Sequence, residues 1–246
     1  MKEYLYIYGI NPVVESLQND KIFVAELYVV QNGNENQTIL SLAKKRFLKI
    51  NYCTKEQLTK LANSSNHQNY LLAIKMPKTL TIEQLVGQSL KKDHPFLLVL
   101  DQIVDPQNFG AILRTCDMFN VDGVIILNKR QVSLTPSAVK ASAGGFAHVA
   151  ISEVNNLTNA IEYLKTCGFW IYATELSAKA VPVGDLKYDT PVCLIVGNEG
   201  KGVSPKLLKH ADFNVYVPTT GHLDSLNVSV ATAVLIYQIK MLQQEL

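Results

Sequence analysis

Three polar side chains stand where a loop meets an apolar helix near the end of the chain. In the stretch PTTGHLDSLNVSVATAVLIYQIK (218–240), Ser225, Asn227 and Ser229 alternate with apolar residues just before a long apolar run. A hydroxyl or amide at a helix start usually caps the first free backbone N–H groups, and one such residue is enough. The remaining polar groups are better explained by a ligand than by capping alone.

A second stretch, VGNEGKGVSP (196–205), surrounds one carboxylate with three glycines. Glu199 lies among Gly197, Gly200 and Gly202. Glycines leave backbone N–H and C=O groups open to a ligand that comes close. The spacing is not that of a phosphate-binding P-loop. A tight glycine-rich turn without a ligand is the alternative, and it leaves the carboxylate without a role.

A third stretch, DQIVDPQNFGAILRTC (101–116), combines carboxylate, amide and guanidinium groups. Asp105 and Pro106 predict a turn, and Asn108 is placed to cap the helix that follows. Arg114 comes six residues later, nearly two helical turns along. A capped helix with one arginine on its solvent side would explain Asn108, but it would leave Arg114 and the aspartates unexplained.

Each of these stretches follows a predicted strand of the second half of the chain. The strands are short, apolar and without alternation: FLLVL (96–100), GVIIL (123–127), FWIYATEL (169–176), PVCLIVG (191–197) and FNVYVP (213–218). Such runs are typical of a parallel sheet covered on both faces, and helical segments, including PSAVKASAGGFAH (136–148), lie between them. They predict a doubly wound α/β fold. Ligands bind such sheets at the carboxyl ends of the strands, so we expect the three stretches to converge there.

The first half of the chain predicts a smaller α/β unit, with four strands separated by three helices. Its first helix, NPVVESLQN, is expected to have Asn11 as N-cap and Pro12 at the first position. The segment 77–95 begins and ends with proline and predicts a linker that contains a short helix. We therefore expect a small domain at 1–76 and a second domain at 96–246.

Composition narrows the class of protein. The chain has 246 residues, of which 48% are hydrophobic and 18% charged, which is a globular composition. It has no apolar run of membrane length and no signal-peptide pattern at its start, so a cytoplasmic location is expected. Its four cysteines and five histidines are scattered, which predicts reduced thiols and no metal site.

Net charge is only +2, which does not by itself indicate a nucleic-acid binder. One basic cluster, in AKKRFLK (43–49), contains Lys44, Lys45, Arg46 and Lys49. The first interpretation of such a short run is a solvated helix face, and contact with phosphate is the second.

The chain resembles the SpoU-type (TrmH-type) RNA ribose 2′-O-methyltransferases of the SPOUT superfamily. The resemblance is carried by DPQNFGAILRTC, IVGNEGKGVS and VPTTGHLDSLNVSVATAVLIYQ, which have the order and spacing of three family motifs and cover residues 96–246. The opening YIYGINPVVESL is similar to the small ribosomal-protein-like domain that precedes the catalytic domain in part of the family. This layout looks most like that of members that modify a guanosine of 23S ribosomal RNA.

The resemblance implies a C-terminal α/β methyltransferase domain tied in a trefoil knot, an N-terminal substrate-binding domain, and a homodimer with the active site built across the interface. It implies S-adenosyl-L-methionine as cofactor, held by the backbone around Gly197, Val217 and Leu226. The implied catalytic residues are those at the motif positions: Asn108, Arg114, Glu199, Ser225 and Asn227. It also implies structured RNA as partner, with ribosomal RNA favoured over transfer RNA.

The chemistry needs a group that aligns a ribose 2′-hydroxyl and a group that takes its proton. Arg114 would hold the hydroxyl and a phosphate, or accept the proton, which is awkward for a guanidinium. Asn108 and Asn227 would orient the ribose or Arg114. Glu199 would fix Arg114 or a loop, and Ser225 would hydrogen-bond near the cofactor or the nucleotide.

Two rival functions stay open at this point. One is an RNA-binding module that keeps the scaffold without catalysis. The other is a Rossmann-type oxidoreductase, which predicts a GxGxxG motif after the first strand of the second domain, where the chain reads DQIVDPQNFG. Within the enzyme interpretation, transfer RNA is the alternative substrate.

Overall fold

A computed structural model describes residues 4–20, 22–31, 35–76, 79–128, 134–223 and 225–244. Their strands form two sheets, one of four strands and one of seven. Residues 1–3, 77–78 and 245–246, where the predicted domains and linker begin or end, lie outside the described residues. No helix in the described ranges is long and apolar enough to cross a membrane.

The smaller sheet is built by the first half of the chain, in the predicted alternation of strands and helices. Its elements are β1 Tyr4–Tyr8, α1 Ile10–Gln18, β2 Val24–Val30, α2 Gln37–Lys45, β3 Lys49–Cys53, α3 Lys55–Ala62 and β4 Tyr70–Lys75. The strand order is β1-β4-β2-β3. Strand β4 is antiparallel to β1 and β2, whereas β3 is parallel to β2, so β2 and β3 begin at the same end of the sheet.

The start of α1 differs from the expectation. The helix begins at Ile10, after Gly9 with a φ of 96°, so Asn11 is not the N-cap and Pro12 is the third helical residue. The backbone N–H of Ile10 donates to Oε1 of Gln68 at 2.8 Å. A side chain 58 residues away therefore satisfies the helix start, and local spacing cannot predict such a contact.

The larger sheet is parallel throughout its described strands, which confirms the predicted α/β fold with a parallel sheet. Its elements are α4 Ile82–Ser89, β5 Phe96–Leu100, α5 Pro106–Met118, β6 Gly123–Leu127, α6 Pro136–Ala141, β7 Ala150–Val154, α7 Leu157–Thr166, β8 Trp170–Thr174, β9 Val181–Pro182, β10 Val192–Val196, α8 Pro205–Leu208, β11 Phe213–Tyr216 and α9 Val228–Gln244. The strand order is β7-β6-β5-β10-β8-β11-β9.

Both faces of this sheet are covered, as the unalternating strands predict. Alternate residues of β5 enter different apolar clusters: Phe96, Leu98 and Leu100 join one, and Leu97 and Val99 join the other. The first cluster continues into the core of the smaller sheet, so the two sheets share buried apolar contacts.

The segment predicted as one helix at 136–148 is different in the structure. Helix α6 ends at Ala141, because Ala143 and Gly144 take left-handed φ values of 47° and 91°. A 3₁₀ turn at Gly145–Ala147 and strand β7 follow. Strands β7 and β9 were missing from the prediction.

The segment predicted as a linker is packed along part of its length. Helix α4 has a capping box formed by Thr81 and Gln84, and its Leu85 and Val86 are buried in the second apolar cluster. Leu80 forms a parallel bridge with Ser152 beside β7. The short helix predicted within 77–95 is therefore present as α4, and it is one of the helices that cover the larger sheet.

Candidate active site

A cleft of about 910 Å³ opens at the carboxyl ends of β8, β10 and β11. It is lined by residues of the 196–205 loop, the 215–228 segment and the first turns of α9. The predicted convergence of the first and second stretches is found here. The volume lies in the range of pockets that hold a small-molecule ligand.

Asn108, Glu199 and Asn227 form a hydrogen-bonded triangle that joins all three predicted stretches. Oε1 of Glu199 accepts from Nδ2 of Asn108 at 2.9 Å and from Nδ2 of Asn227 at 2.6 Å. Nδ2 of Asn227 also donates to Oδ1 of Asn108 at 3.1 Å. These residues are 28 to 119 positions apart in the chain, so the parallel sheet is what brings them together.

Asn108 is available for the triangle because it does not cap its helix. The N-cap of α5 is Asp105, whose carboxylate accepts from the N–H groups of Gln107 and Asn108. Pro106 occupies the first helical position, where a missing N–H costs nothing. The expectation that Asn108 caps was therefore wrong, and its amide is used between loops instead.

Asn227 both caps α9 and belongs to the triangle. Its Oδ1 accepts from the N–H of Ser229 at 2.9 Å, from the Ser229 hydroxyl at 2.6 Å and from the N–H of Val230 at 3.4 Å. Because the oxygen is held in this way, the amide nitrogen is aimed at Glu199 and Asn108. Ser225 is exposed and lines the cleft. Of the three polar residues in 218–240, Asn227 is therefore the cap, Ser229 holds the Asn227 side chain, and Ser225 lines the cleft.

The glycine-rich loop is closed on itself by Asn198, a residue that the sequence reasoning missed. Its Oδ1 accepts from the N–H groups of Gly200 and Lys201, and its Nδ2 donates to the Gln102 carbonyl at 3.1 Å. Its backbone exchanges hydrogen bonds with Gly202. An asparagine before Glu-Gly directly after a strand is a turn signal that could have indicated this role.

Two contacts fix the ends of the glycine-rich loop: close backbone packing at Gly197 and a hydrogen bond from Ser204 to the buried carboxylate of Asp101. A Cβ added to Gly197 would lie 2.1 Å from the Gly202 carbonyl carbon, so no other residue fits there. Asp101 is buried, and its Oδ2 accepts from the Ser204 N–H at 2.7 Å. Asp101, which a capped-helix account could not explain, therefore fastens the loop to the end of β5.

The predicted cofactor residues Gly197, Val217 and Leu226 all line the cleft. Most of the lining is apolar, and the carboxylates of Glu175 and Glu199 stand at it. Apolar walls suit an aromatic base, and carboxylates suit a ligand that carries positive charge. These residues fit S-adenosylmethionine, which has an adenine ring, a sulfonium and an ammonium group.

Arg114 lies outside the triangle. Its side chain is exposed, and among the described residues no hydrogen bond or ion pair to its guanidinium is found. Six residues correspond to about 9 Å along α5 and to about 120° around it from Asn108. The nearby Gly145 packs on the helix, because a Cβ added there would lie 3.1 Å from Cα of Arg114. Within one chain, three of the five predicted catalytic residues are therefore joined by hydrogen bonds, Ser225 lines the adjoining cleft, and Arg114 stands apart.

Two family models match the chain. The SpoU rRNA Methylase family matches residues 95–237, and the model for RNA 2′-O ribose methyltransferase substrate binding matches residues 6–80. The chain therefore belongs to the SpoU rRNA methylase family.

Similar proteins cover nearly the whole chain. An uncharacterized tRNA/rRNA methyltransferase of Borreliella burgdorferi is 38% identical over 84% of this chain and 93% of its own length. A putative TrmH family tRNA/rRNA methyltransferase, YacO of Bacillus subtilis, is 31% identical over 97% and 96%. The fold is shared with the SpoU methyltransferase AviRb of Streptomyces viridochromogenes in complex with AdoMet, with a TM-score of 0.77, 18% identity, and coverage of 97% and 90%.

Family membership and the cleft agree on the general activity. By family membership the chain is an RNA methyltransferase, and its cleft fits S-adenosylmethionine, the cofactor bound in the AviRb structure. The closed glycine-rich loop, the cleft and the polar triangle together form the candidate site for that activity.

Proposed function

We propose that the chain methylates a ribose 2′-hydroxyl in structured RNA, and that its preferred substrate is ribosomal RNA, with a guanosine of 23S ribosomal RNA as the favoured target. The observation that carries the proposal is the Asn108–Glu199–Asn227 triangle beside a cleft that fits the cofactor. The match of residues 6–80 to a 2′-O ribose substrate-binding model supports the ribose hydroxyl as acceptor.

Bound S-adenosylmethionine would supply a methyl group already activated by its sulfonium, so the site needs no metal. The backbone around Gly197, Val217 and Leu226 holds the cofactor, and Ser225 hydrogen-bonds at the same cleft. Glu199 fixes the amides of Asn108 and Asn227, since one carboxylate oxygen accepts from both. The fixed amides orient the ribose. Loss of one such group is expected to lower the rate by about 10²–10³ if it acts only in the transition state.

Arg114 is assigned the role of holding the ribose hydroxyl and a phosphate. A guanidinium offers several donors and no acceptor, so an exposed Arg114 is better suited to donate hydrogen bonds than to accept the proton. A planar guanidinium offers several donors in a fixed geometry. Arg114→Lys, which keeps the charge and loses that geometry, is therefore expected to be strongly impaired, and near-normal turnover would contradict the role.

A homodimer would place Arg114 beside a triangle of the other subunit. Helix α9 exposes an apolar stripe in which Val230, Val234, Tyr237 and Met241 are 38% to 50% exposed. Their spacing puts them on one side of the helix. Met118 of α5 is 74% exposed, and the neighbouring Phe119 ring is 5.8 Å from that of Tyr237. Arg114 precedes Met118 by one turn, so a second copy that covers this face would reach Arg114.

Further parts of the proposal concern architecture and location. We assign 1–76 to RNA binding, 77–95 to the connection and 96–246 to catalysis; the two family matches support this division. A trefoil knot is supported by the insertion of β10 between β5 and β8, followed by the return of α9 onto α5. A cytoplasmic location agrees with a ribosomal RNA substrate.

The test is transfer of labelled methyl from S-adenosylmethionine to unmodified large-subunit ribosomal RNA and to bulk transfer RNA, with Arg114→Ala as control. Label in ribosomal RNA that disappears with the variant is the expected result. Label in transfer RNA alone would keep the chemistry and refute the substrate. Absence of label in both RNAs, with normal cofactor binding, would favour an RNA-binding module without catalysis.

A further inference from the structure

The four-stranded sheet carries an exposed aromatic ring on a strained turn. Phe47 follows α2 with a φ of 53°, in the left-handed region that bulky residues rarely adopt. Its N–H bonds to the Lys44 carbonyl and the N–H of Leu48 bonds to the Ala43 carbonyl, both at 3.0 Å. Glycine normally takes this position of a helix-ending turn. The Phe47 side chain is 96% exposed, so the fold gains neither packing nor an unstrained turn from it.

The residue before Phe47 fixes this turn to the rest of the sheet. The Arg46 guanidinium donates to the carbonyls at the end of α1 and before β2, which belong to Ser16, Leu17, Asn19 and Ile22, at 2.6 to 3.2 Å. One arginine of the predicted basic cluster therefore serves the fold and does not face solvent as a free cation. The consequence is that the Phe47 ring is held outward on a backbone that is anchored at its base.

The surroundings of Phe47 are basic and aromatic. Phe47 stands just before the start of β3, at the end of the sheet where β2 also begins and β4 ends. Residues that flank these three strand ends therefore lie close together. We name as the Phe47 surface the exposed residues Phe23, Lys44, Lys45, Phe47, Lys49 and Lys75. Nζ of Lys75 lies 5.5 Å from the Phe23 ring centre. The described acidic residues at this end are Asp20 and Glu26, and Glu26 pairs with Lys49 at 3.3 Å.

A chain of contacts links the Phe47 surface to the turn at 144–145, which packs against α5 at Arg114. Asn19, whose carbonyl binds Arg46, has its side-chain nitrogen 3.3 Å from Nε2 of His148. The same nitrogen would be 2.8 Å from a Cβ added to Gly144, and the next residue, Gly145, packs on Arg114. Because these contacts link the Phe47 surface to a residue that packs on Arg114, we expect an RNA bound near Arg114 to extend to Phe47.

We infer that Phe47 is a stacking platform for an unpaired base of the RNA substrate, with Lys44, Lys45 and Lys49 at the flanking phosphates. Proteins that bind single-stranded nucleic acid stack bases on aromatic rings and neutralise the phosphates with basic side chains. The exposed rings and lysines of the Phe47 surface offer both features. The inference rests on the proposed function and adds that the substrate has a single-stranded nucleotide beside the target ribose, since a duplex offers no free base face. Lys49 on the edge strand β3 disfavours a protein strand as the occupant.

The experiment compares Phe47→Gly, Phe47→Tyr and Phe47→Leu in the full chain, with unmodified large-subunit ribosomal RNA and bulk transfer RNA as probes. Phe47→Gly is expected to keep or raise the Tm, because glycine accepts the left-handed turn. It is expected to weaken RNA binding by about tenfold or more, the loss of one stacked base, and to leave cofactor binding unchanged. Phe47→Tyr should bind like the wild type and Phe47→Leu like Phe47→Gly. Asn63→Gly changes another left-handed helix end, with a φ of 49°, and should leave RNA binding unchanged.

Several results would overturn the inference. An unchanged RNA affinity in Phe47→Gly would do so, and so would a Phe47→Leu variant that binds RNA as tightly as the wild type. A lower Tm or a changed oligomeric state of Phe47→Gly would also do so, because either would indicate that the ring packs against protein. Failure of the proposed function looks different. A wild-type chain that binds RNA through Phe47 and transfers no methyl group would refute the activity and leave the stacking role in place.

Discussion

The separation of Arg114 from the Asn108–Glu199–Asn227 triangle leads to a quantitative prediction about subunit mixing. An Arg114→Ala chain keeps an intact triangle, and a Glu199→Ala chain keeps an intact arginine. If sites are shared, one site of a mixed dimer combines the two intact parts and the other site lacks both. Random pairing of equal amounts makes about half of the dimers mixed, so about one quarter of the wild-type activity should return.

The predicted recovery is large compared with the background. Each variant alone is expected to lose about 10²–10³ of its rate if its missing group acts in the transition state. Co-expression of the two chains with different affinity tags, followed by purification on both, isolates the mixed dimer. That preparation should show about half of the wild-type methyl transfer per dimer, because one of two equivalent sites is complete.

A matched pair of variants gives the control. Asn108→Ala and Glu199→Ala both damage the triangle, so every site of their mixed dimer lacks a member, and activity should stay at the level of the single variants. The shared-site reasoning would be refuted if the Arg114→Ala and Glu199→Ala dimer, isolated on both tags and binding cofactor normally, were equally inactive. Arg114 would then act in its own subunit.

Three further predictions concern stability. Gly110→Ala should lower the free energy of unfolding in urea by about 1–3 kcal/mol, because its Cβ would lie 2.4 Å from the Ala138 carbonyl oxygen. Gly87→Ala is the control and should not destabilise the fold, because a Cβ there would meet nothing within 4 Å. Arg46→Lys should lower the free energy of unfolding by about 1–3 kcal/mol, because an ammonium group cannot reach four carbonyls in the same geometry. An unchanged Tm would contradict this prediction. Burial lowers the pKa of His67, so the unfolded chain protonates first and stability should be constant above about pH 6.5 and fall below it. Melting curves of His67→Gln should lack that part of the acid loss.

The larger sheet was predictable because its signal is local. Strands such as β5 and β10 are apolar at every position, and that pattern is a direct consequence of burial on both faces. Strand β7, AISEV, has a mixed pattern and follows a glycine-rich turn, so its local signal is weak. The short helix predicted within 77–95 is found as α4, but its polar flanks gave no sign that Leu85 and Val86 would be buried.

The site was predictable in position and not in detail. Topology alone places loops after parallel strands at one edge, which is enough to expect Asn108, Glu199 and Asn227 near each other. Which amide caps a helix and which one binds a carboxylate depends on distances between residues up to 119 positions apart. Asp105 takes the cap that was expected of Asn108, and only the folded chain reveals that exchange.

The position of Asn227 couples the order of α9 to the order of the active site. One amide oxygen holds the first N–H groups of the helix, and the nitrogen of the same amide holds Glu199 and Asn108. A rotation of this side chain would therefore break the cap and the triangle together. Because the exposed stripe of α9 begins at Val230, three residues beyond Asn227, a second subunit that covers the stripe would also restrain the cap. Dimer formation would then support catalysis in two ways, by bringing Arg114 and by fixing the amide that orients the ribose.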